Sequence, residues 1–358
     1  MTSSLDQALD ALLADPIAAL GAVGGSPLGY VGSDVPLDLL LATGRPVAHL
    51  PWKVDRATPR SERWLEGSFP GWVHSILEDW AAGAFDGFAD VVFSRGNDAS
   101  QRLYYYVCEL QRIGELRGPR PLIFDAAYVP RETSRIHMTA ALRRLGTALG
   151  VDDAGLRAGI AQANRRRLLL QSVQARRAGQ GALHEKLLRA GLFGDVLPLL
   201  EVQGLPTGDG LAAAEASRVL LAGSVPPDGR LHRAVQSAGA CVVAEHHEFG
   251  LARLGACIDA DAADPFDAVV RQRREAPLVG RGFKDPAQAL RDAAIQARAD
   301  AVVLWLTRDD EARAWHVPAQ RAALAEAGIP ALVLPAMRWL ADDGALERIN
   351  EFMGTIRS

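Results

Sequence analysis

Two side chains late in the sequence have the types and the spacing for acid–base chemistry. Asp310 and His316 lie six residues apart, across a turn that leads into a predicted helix. A carboxylate and an imidazole that converge on one substrate can transfer protons to and from it. This pair therefore predicts, as one hypothesis, a stand-alone enzyme that works by acid–base catalysis.

A second group of polar residues follows a predicted strand in the first half of the chain. The turn carries Arg95, Asn97 and Asp98 around Gly96, and it runs into a helix that contains Arg102. A glycine-bearing turn with Arg and Asn at the carboxyl edge of a sheet can bind an anion or a carbonyl group. The simpler interpretation is that Asp98 only caps the helix.

Ser33 and Asp34 follow the first predicted strand and precede Pro36. Ser and Asp favour the cap of a helix, Pro favours its first turn, and the free amides of that turn can face a ligand. Capping alone explains these residues and is the favoured interpretation.

Composition and motifs exclude several classes of protein. The formal net charge is −4 and the sequence pI is about 6.1, so there is no electrostatic case for nucleic-acid binding. The run of Arg165, Arg166 and Arg167 is favoured as a solvated helix face. The sequence contains no nucleophile elbow, P-loop or EF-hand. His246 and His247 are adjacent, so in a strand they point to opposite sides, which argues against a shared metal.

The chain has neither a secretory signal pattern nor an apolar run long enough to span a membrane, so we expect a cytoplasmic protein. Its three cysteines, Cys108, Cys241 and Cys257, form no CxxC pair. Reduced thiols are the expectation for such cysteines in that compartment.

Short apolar runs alternate with amphipathic segments, which predicts βαβ units and hence parallel sheets with helices on both faces. Strands are predicted at 28–31, 46–52, 90–94, 122–126, 218–222, 241–244, 301–306 and 331–334. Helices are predicted in the first half at 4–20, 36–42, 71–82 and 99–113. The fold class is α/β, with two doubly wound, Rossmann- or flavodoxin-like domains at 1–204 and 205–358. A helical segment at 131–200 and a glycine-rich linker at 202–210 lie between the two alternating patterns.

Several of these segments together resemble the 2-hydroxyacyl-CoA dehydratase D-component family, which also includes the benzoyl-CoA reductase subunits. The similarity covers essentially the whole chain, although no single motif is decisive. The segments that carry it are 29–33 with Pro36 and Asp38, 42–47, 72–77, 98–106, 220–223 and 238–243.

The resemblance implies a heterodimer of related α/β subunits that binds an acyl-CoA beside a four-iron four-sulfur cluster, which an ATP-dependent activator reduces. Cluster-bearing members supply three cysteines from strand ends. The matching places here hold Pro70 or Phe69, Asn97 and Asp310, none of which is a thiolate. Because thiolates hold such clusters, we expect no metal or cluster in this chain and a four-iron four-sulfur cluster only in a partner subunit.

The leading hypothesis is therefore a cluster-less subunit of a dehydratase or reductase, a lyase- or reductase-type complex, that pairs with a cluster-bearing homologue. On the resemblance, Ser33 and Asp38 contact the acyl group, while Asn97, Asp98 and Arg102 line the vacated cluster pocket. Two other hypotheses stay open. One is the stand-alone acid–base enzyme that uses Asp310 and His316, and the other is a small-molecule binding protein.

Overall fold

The computed structural model describes residues 4–53, 56–175, 181–193, 216–276 and 283–357. Eight strands occur there: β1 Leu28–Val31, β2 Val47–His49, β3 Asp90–Ser94, β4 Arg120–Phe124, β5 Ser217–Gly223, β6 Ala240–His246, β7 Ala301–Thr307 and β8 Ala331–Met337. The first eight helices are α1 Ser4–Ala14, α2 Pro16–Val23, α3 Leu37–Leu41, α4 Gly71–Ala81, α5 Asp98–Arg112, α6 Glu132–Leu149, α7 Asp153–Ala175 and α8 Gly181–Phe193. The others described are α9 Arg230–Ser237, α10 Pro265–Glu275, α11 Pro286–Gln296, α12 Glu311–Ala314, α13 Val317–Glu326 and α14 Ala345–Arg357.

The eight strands form two parallel sheets with the same strand order. The first is ordered β2-β1-β3-β4 and the second β6-β5-β7-β8. Leu28 pairs with both Val47 and Asp90, so β1 is flanked on each side, and β5 is flanked by β6 and β7 in the same way. The predicted α/β class with two doubly wound sheets is confirmed. In each sheet the winding reverses beside the first strand, where open α/β sheets collect their ligands.

The chain divides into two compact units, each built on one sheet. The first takes its described residues from Met1–Leu169, Arg189–Gln203 and Leu254–Ala276, and the second from Leu170–Leu188, Gly204–Arg253 and Pro277–Ser358. The expected linker at 202–210 lies outside the described residues. The expected division into 1–204 and 205–358 stays a prediction.

Aromatic side chains dominate the core of the first unit. Trp80 of α4 stacks on Phe93 of β3 with ring centroids 6.1 Å apart, and it meets Phe85 edge-on. The indole Nε1 of Trp80 donates to the carbonyl of Arg117 at 2.8 Å, so its polar atom is satisfied. The core of the second unit is mostly aliphatic around Trp305.

The predicted single helix at 4–20 is wrong, because two helices occupy this segment. Asp15 ends the first helix, and its Oδ1 accepts from the amide of Ala18 at 3.0 Å as a cap for the second. Pro16 opens α2, where its missing N–H costs nothing.

A buried ion pair joins α3 to α7 within the first unit. Arg167 donates from Nη1 and Nη2 to the two oxygens of Asp38 at 2.7 and 2.8 Å, and the Asp38 side chain is fully buried. The helices approach closely at Gly159, where a Cβ would lie 2.3 Å from the carbonyl oxygen of Asp38. The resemblance predicts that Asp38 contacts an acyl group, whereas here Arg167 holds both its oxygens. The acyl contact stays a prediction, and the ion pair weighs against it.

The solvated helix face predicted for the three arginines is wrong for two of them. Arg166 and Arg167 are buried, and only Arg165 is exposed. Arg166 donates to the carbonyl of Gly191, while Arg167 also donates to the carbonyl of Leu254 at 2.9 Å. Long side chains that find carboxylate and carbonyl partners can be buried without loss of their charge.

The buried pair predicts a large stability loss when one member is removed. Asp38→Asn should lower the free energy of unfolding by roughly 3–5 kcal/mol, because a buried guanidinium loses its counter-charge. Chemical denaturation followed by circular dichroism measures this loss. Glu109→Gln is the control, because Glu109 pairs with Arg112 on an exposed face of α5 and its loss should leave stability nearly unchanged. Equal stability of the Asp38 and Glu109 variants would contradict the structural role.

Candidate functional site

A glycine with positive φ, followed by a serine, lies at the end of the first strand of each sheet: Gly32 directly follows β1, and Gly223 is the last residue of β5. The φ angles are +101° at Gly32 and +106° at Gly223. A Cβ on Gly32 would lie 2.4 Å from Cβ of Ser94, and one on Gly223 would lie 2.1 Å from the carbonyl oxygen of Trp305. Only glycine fits these positions, because both the backbone conformation and the space exclude a side chain. Each turn thus lies directly against the end of the third strand of its sheet, at the reversal of the winding.

In the first unit, hydrogen bonds tie the end of β1 to the start of α5 and to β2. The Ser100 hydroxyl donates to the carbonyl of Val31 at 3.1 Å, and the Gly32 amide donates to Nε2 of His49 at 3.1 Å. Asn97 caps α5 through its Oδ1, which accepts from the Ser100 amide at 3.1 Å. The interpretation of Asp98 as the cap is wrong, because Asn97 holds that position and Asp98 is the first helical residue. Ser33 is buried beside this turn.

Arg102 lies in a cluster with Glu66, Phe69 and Tyr106, which we term the Arg102 cluster. Its guanidinium lies over the Phe69 ring, 3.9 Å from the centroid, and its Nη2 donates to Oε2 of Glu66 at 3.0 Å. Tyr106 donates to Oε1 of the same carboxylate at 3.1 Å and meets Phe69 edge-on. Asp98 is more distant, with its Oδ2 3.9 Å from Nη1 of Arg102. Arg102 therefore joins α5 to the segment that precedes α4.

In the second unit, Asp310 belongs to a cluster with Ser224, Thr307, Glu248 and Arg313, which we term the Arg313 cluster. The Ser224 hydroxyl donates to Oδ2 of Asp310 at 2.7 Å and accepts from the Thr307 amide at 3.0 Å. Arg313 donates to the same Asp310 oxygen and, at 3.1 Å, to Oε1 of Glu248. Burial lowers the pKa of Arg313, but the charges of Glu248 and Asp310 outweigh it and raise the pKa above its ordinary value. Two carboxylates on one guanidinium leave the Arg313 cluster with a net negative charge.

The structure gives Asp310 and His316 separate surroundings. The Asp310 carboxylate bonds to Ser224 and Arg313, whereas His316 precedes α13 and makes no side-chain hydrogen bond within the described residues. Trp315 beside it is 84% exposed. The joint acid–base role of Asp310 and His316 stays a prediction, and the engagement of Asp310 by Arg313 weighs against it.

The places that the sequence resemblance matches to the family's cluster cysteines, with Phe69 as the alternative to Pro70, hold side chains that do not suit an iron–sulfur cluster. Pro70 precedes α4, Asn97 caps α5, and Asp310 bonds to a serine and an arginine. None offers a thiolate, and two of the three side chains are engaged in hydrogen bonds. No group of three His, Cys, Asp or Glu side chains within the described ranges has a geometry that could hold a metal ion.

The cysteines of the chain lie apart from these places. Cys108 is half-buried on α5, where burial raises the pKa of its thiol. Burial, with the neighbouring Cys108, raises the pKa of Tyr104 to about 12. Cys241 lies in β6 and Cys257 is exposed. A thiol whose pKa is raised is a poor metal ligand, because the thiolate is the ligating form.

Two doubly wound units with polar clusters at their strand ends define a two-domain α/β protein with open parallel sheets. A family model described as "2-hydroxyglutaryl-CoA dehydratase, D-component" matches residues 33–356. The chain therefore belongs to the 2-hydroxyglutaryl-CoA dehydratase D-component family, a family of dehydratase-type subunits that work with other components. A search of curated proteins finds no match. Among the described helices, none has the length and apolar character needed to cross a bilayer.

Sequence reasoning named Arg102 and Asp310 among the polar residues at the strand ends, but it did not single out Glu66 or Arg313. Glu66 lies outside any predicted element, so no periodicity marks it. Arg313 follows Asp310 by three residues, and this helical spacing of opposite charges was the available signal.

The two glycine turns predict a matched series of substitutions. Gly32→Ala and Gly223→Ala should each lower the free energy of unfolding by about 2–4 kcal/mol, because the new Cβ overlaps the neighbouring strand and φ is positive. Gly44→Ala is the control, since Gly44 has φ +67° and no atom lies within 4 Å of the position that its Cβ would take, and it should cost only about 1 kcal/mol. Denaturation midpoints measure all three. A control as damaging as the two test variants would contradict the close approach.

His246 predicts a loss of stability in mild acid. Burial, together with the electrostatic influence of His247 and Arg313, lowers the pKa of His246 from 6.5 to about 4. The folded state therefore favours the neutral imidazole. The contribution of His246 to the free energy of unfolding is complete above pH 6.5 and is lost as the pH falls toward 4.

Between pH 7 and pH 5 the titration of His246 should lower the free energy of unfolding by on the order of 2 kcal/mol. The substitution His246→Gln should remove that part of the pH dependence. Unfolding free energies of both proteins at the two pH values measure it. Since the other titrating groups are common to both proteins, identical pH dependence would rule out the buried neutral state.

Proposed function

We propose that this chain is the cluster-less subunit of a dehydratase-type complex. It pairs with a homologous subunit that carries the four-iron four-sulfur cluster and contributes one side of an acyl-CoA cleft. The observation that carries the proposal is the chemistry at the three places that match the cluster cysteines. Proline, asparagine and a paired aspartate stand there, in a chain that otherwise belongs to the family over residues 33–356.

The surroundings of those places support a binding role in place of a redox role. Asn97 caps a helix, and beside it Arg102 lies on an aromatic ring and pairs with an exposed carboxylate. Asp310 shares the guanidinium of Arg313 with Glu248. The guanidinium of Arg102 near Asn97 suits a protein that stabilises negative charge on a bound ligand, because guanidinium groups bind phosphates and carboxylates well.

Each residue at the first strand ends then has a defined task. Ser33, directly after Gly32 at the winding reversal, contacts the acyl group. Asn97, Asp98 and Arg102 line the place where a partner's ligand or cluster approaches. The reaction of the complex, a dehydration or a ring reduction, is assigned to the partner, and an ATP-dependent activator serves that partner.

The test is an anaerobic pull-down of the tagged full chain from its native host, with mass spectrometry of the eluate and iron and sulfide assayed per chain. We expect a homologous subunit to co-elute in near-equal amount and the iron to remain with it after the two are separated. Iron that stays with the tagged chain, or a chain that elutes alone, contradicts the proposal.

Arg102→Ala provides a second measurement on the purified complex. It removes the cation over Phe69 and should weaken acyl-CoA binding at least tenfold, whereas Arg112→Ala, at the far end of the same helix, should not. Isothermal titration with butyryl-CoA measures both. Equal affinities of the two variants would remove Arg102 from the cleft.

A further inference from the structure

A third polar group lies at the carboxyl edge of the first sheet, apart from the Arg102 cluster. It consists of Arg95, directly after β3, Asp125, directly after β4, and His137 on α6. Arg95 donates from Nη1 to Oδ1 of Asp125, and Nε2 of His137 lies 3.0 Å from Oδ2. Each carboxylate oxygen therefore has its own partner. The side chains are 47%, 31% and 44% exposed, so the group is open to a ligand.

The hydrogen bond fixes the tautomer of His137. Partial burial raises the pKa of Asp125, but hydrogen bonds and charge from Arg95 and His137 outweigh it and hold the pKa below its ordinary value. Asp125 is thus ionised and can only accept, so the proton of a neutral His137 must be on Nε2. The lone pair is consequently on Nδ1, which makes no hydrogen bond within the described residues. An imidazole whose second nitrogen is fixed by a carboxylate is the arrangement of a positioned general base.

Arg95 places a positive charge close to this imidazole. Only Nη1 of its guanidinium is used by Asp125, and no other side-chain hydrogen bond of Arg95 occurs in the part of the chain that the structure describes. Its backbone amide donates to the carbonyl of Phe124 at 3.3 Å, which anchors the residue across the ends of β3 and β4. The remaining N–H groups can therefore bind an oxygen that gains negative charge.

We propose that His137 is the proton-transfer group of a site that acts on the α-hydrogen of an acyl thioester, with Asp125 as its positioning residue and Arg95 beside the thioester oxygen. The α C–H bond breaks, the hydrogen moves as a proton to Nδ1, and the electron pair stays on the substrate as an enolate. Arg95 stabilises the charge on the enolate oxygen. Return of the proton restores the thioester, so the step consumes neither oxidant nor reductant. The inference rests on the proposed function for its acyl-CoA substrate.

The test is hydrogen–deuterium exchange of butyryl-CoA in D2O with the complex purified through the tagged full chain. Mass spectrometry of the recovered thioester counts the α-deuterium, and titration calorimetry measures butyryl-CoA binding in parallel. We expect His137→Gln, which keeps a polar side chain but cannot carry the proton, to lower exchange roughly 10²-fold or more while binding persists. The wild-type rate should follow one ionisation with pH, and this step should vanish in His137→Gln.

Asp125→Asn tests the positioning role through the pH profile. The amide of this variant can donate to Nε2, so the proton of a neutral His137 is no longer held on Nε2 and can occupy Nδ1. The exchange rate should therefore fall at least tenfold, with a displaced pH profile. Glu109→Gln, at the opposite end of α5, should exchange as the wild type does. An unchanged rate in His137→Gln, or no exchange by a wild-type complex that binds butyryl-CoA, overturns the proton-transfer site and leaves the proposed function intact. A chain that neither elutes with a partner nor binds butyryl-CoA overturns both.

Discussion

The close approach of backbone at Gly32 and Gly223 is the constraint on which the arrangement of polar groups depends. In each sheet the first strand lies between two parallel neighbours, so the chain must leave it at the point where the winding reverses. A side chain at either glycine would displace the end of the third strand. With glycine there, the serine turn and the turn after the third strand lie side by side, and the polar residues that follow share one edge. The same solution occurs in both units, at positions 191 residues apart in the sequence.

The two arginine clusters pair the charges at the strand ends in different ways. Arg102 lies between an aromatic face and one exposed carboxylate, so part of its charge remains available to a ligand. Arg313 is held by two carboxylates, and Ser224 completes the coordination of one of them. The first arrangement suits binding, whereas the second suits rigidity, because a shared guanidinium fixes both carboxylates. The units therefore have the same topology but unequal chemistry at their edges.

Periodicity in the sequence predicted all eight strands, because buried parallel strands appear as short apolar runs between turns. The strands β1 and β3 occur at the predicted residues, while β4 begins two residues early, since Arg120 and Pro121 extend the pairing with β3. Charged residues were predicted less well. Arg167 and Asp38 lie 129 positions apart, and no local pattern shows that two such charges are buried together. For the same reason the sequence did not predict that Glu66 pairs with Arg102. Ion pairs between distant segments depend on proximity in the fold and not on spacing in the sequence.

One helix of the first unit, α10, lies far along the sequence from the other helices of that unit. Helix α10 packs on α6, where Asp267 accepts from Arg135, and Arg143 lies over the ring of Phe266 with its carbon 4.6 Å from the centroid. The ribosome must therefore add the roughly 100 residues between the ends of α7 and α10 before the first unit is complete, about 5–20 s at roughly 5–20 residues per second. During that interval the apolar surface of α6 that receives Phe266 is uncovered, at Gly146, where the ring would lie 2.9 Å from an added Cβ. The order of the elements therefore leaves part of an apolar helix face uncovered during synthesis, independently of the stability of the final fold.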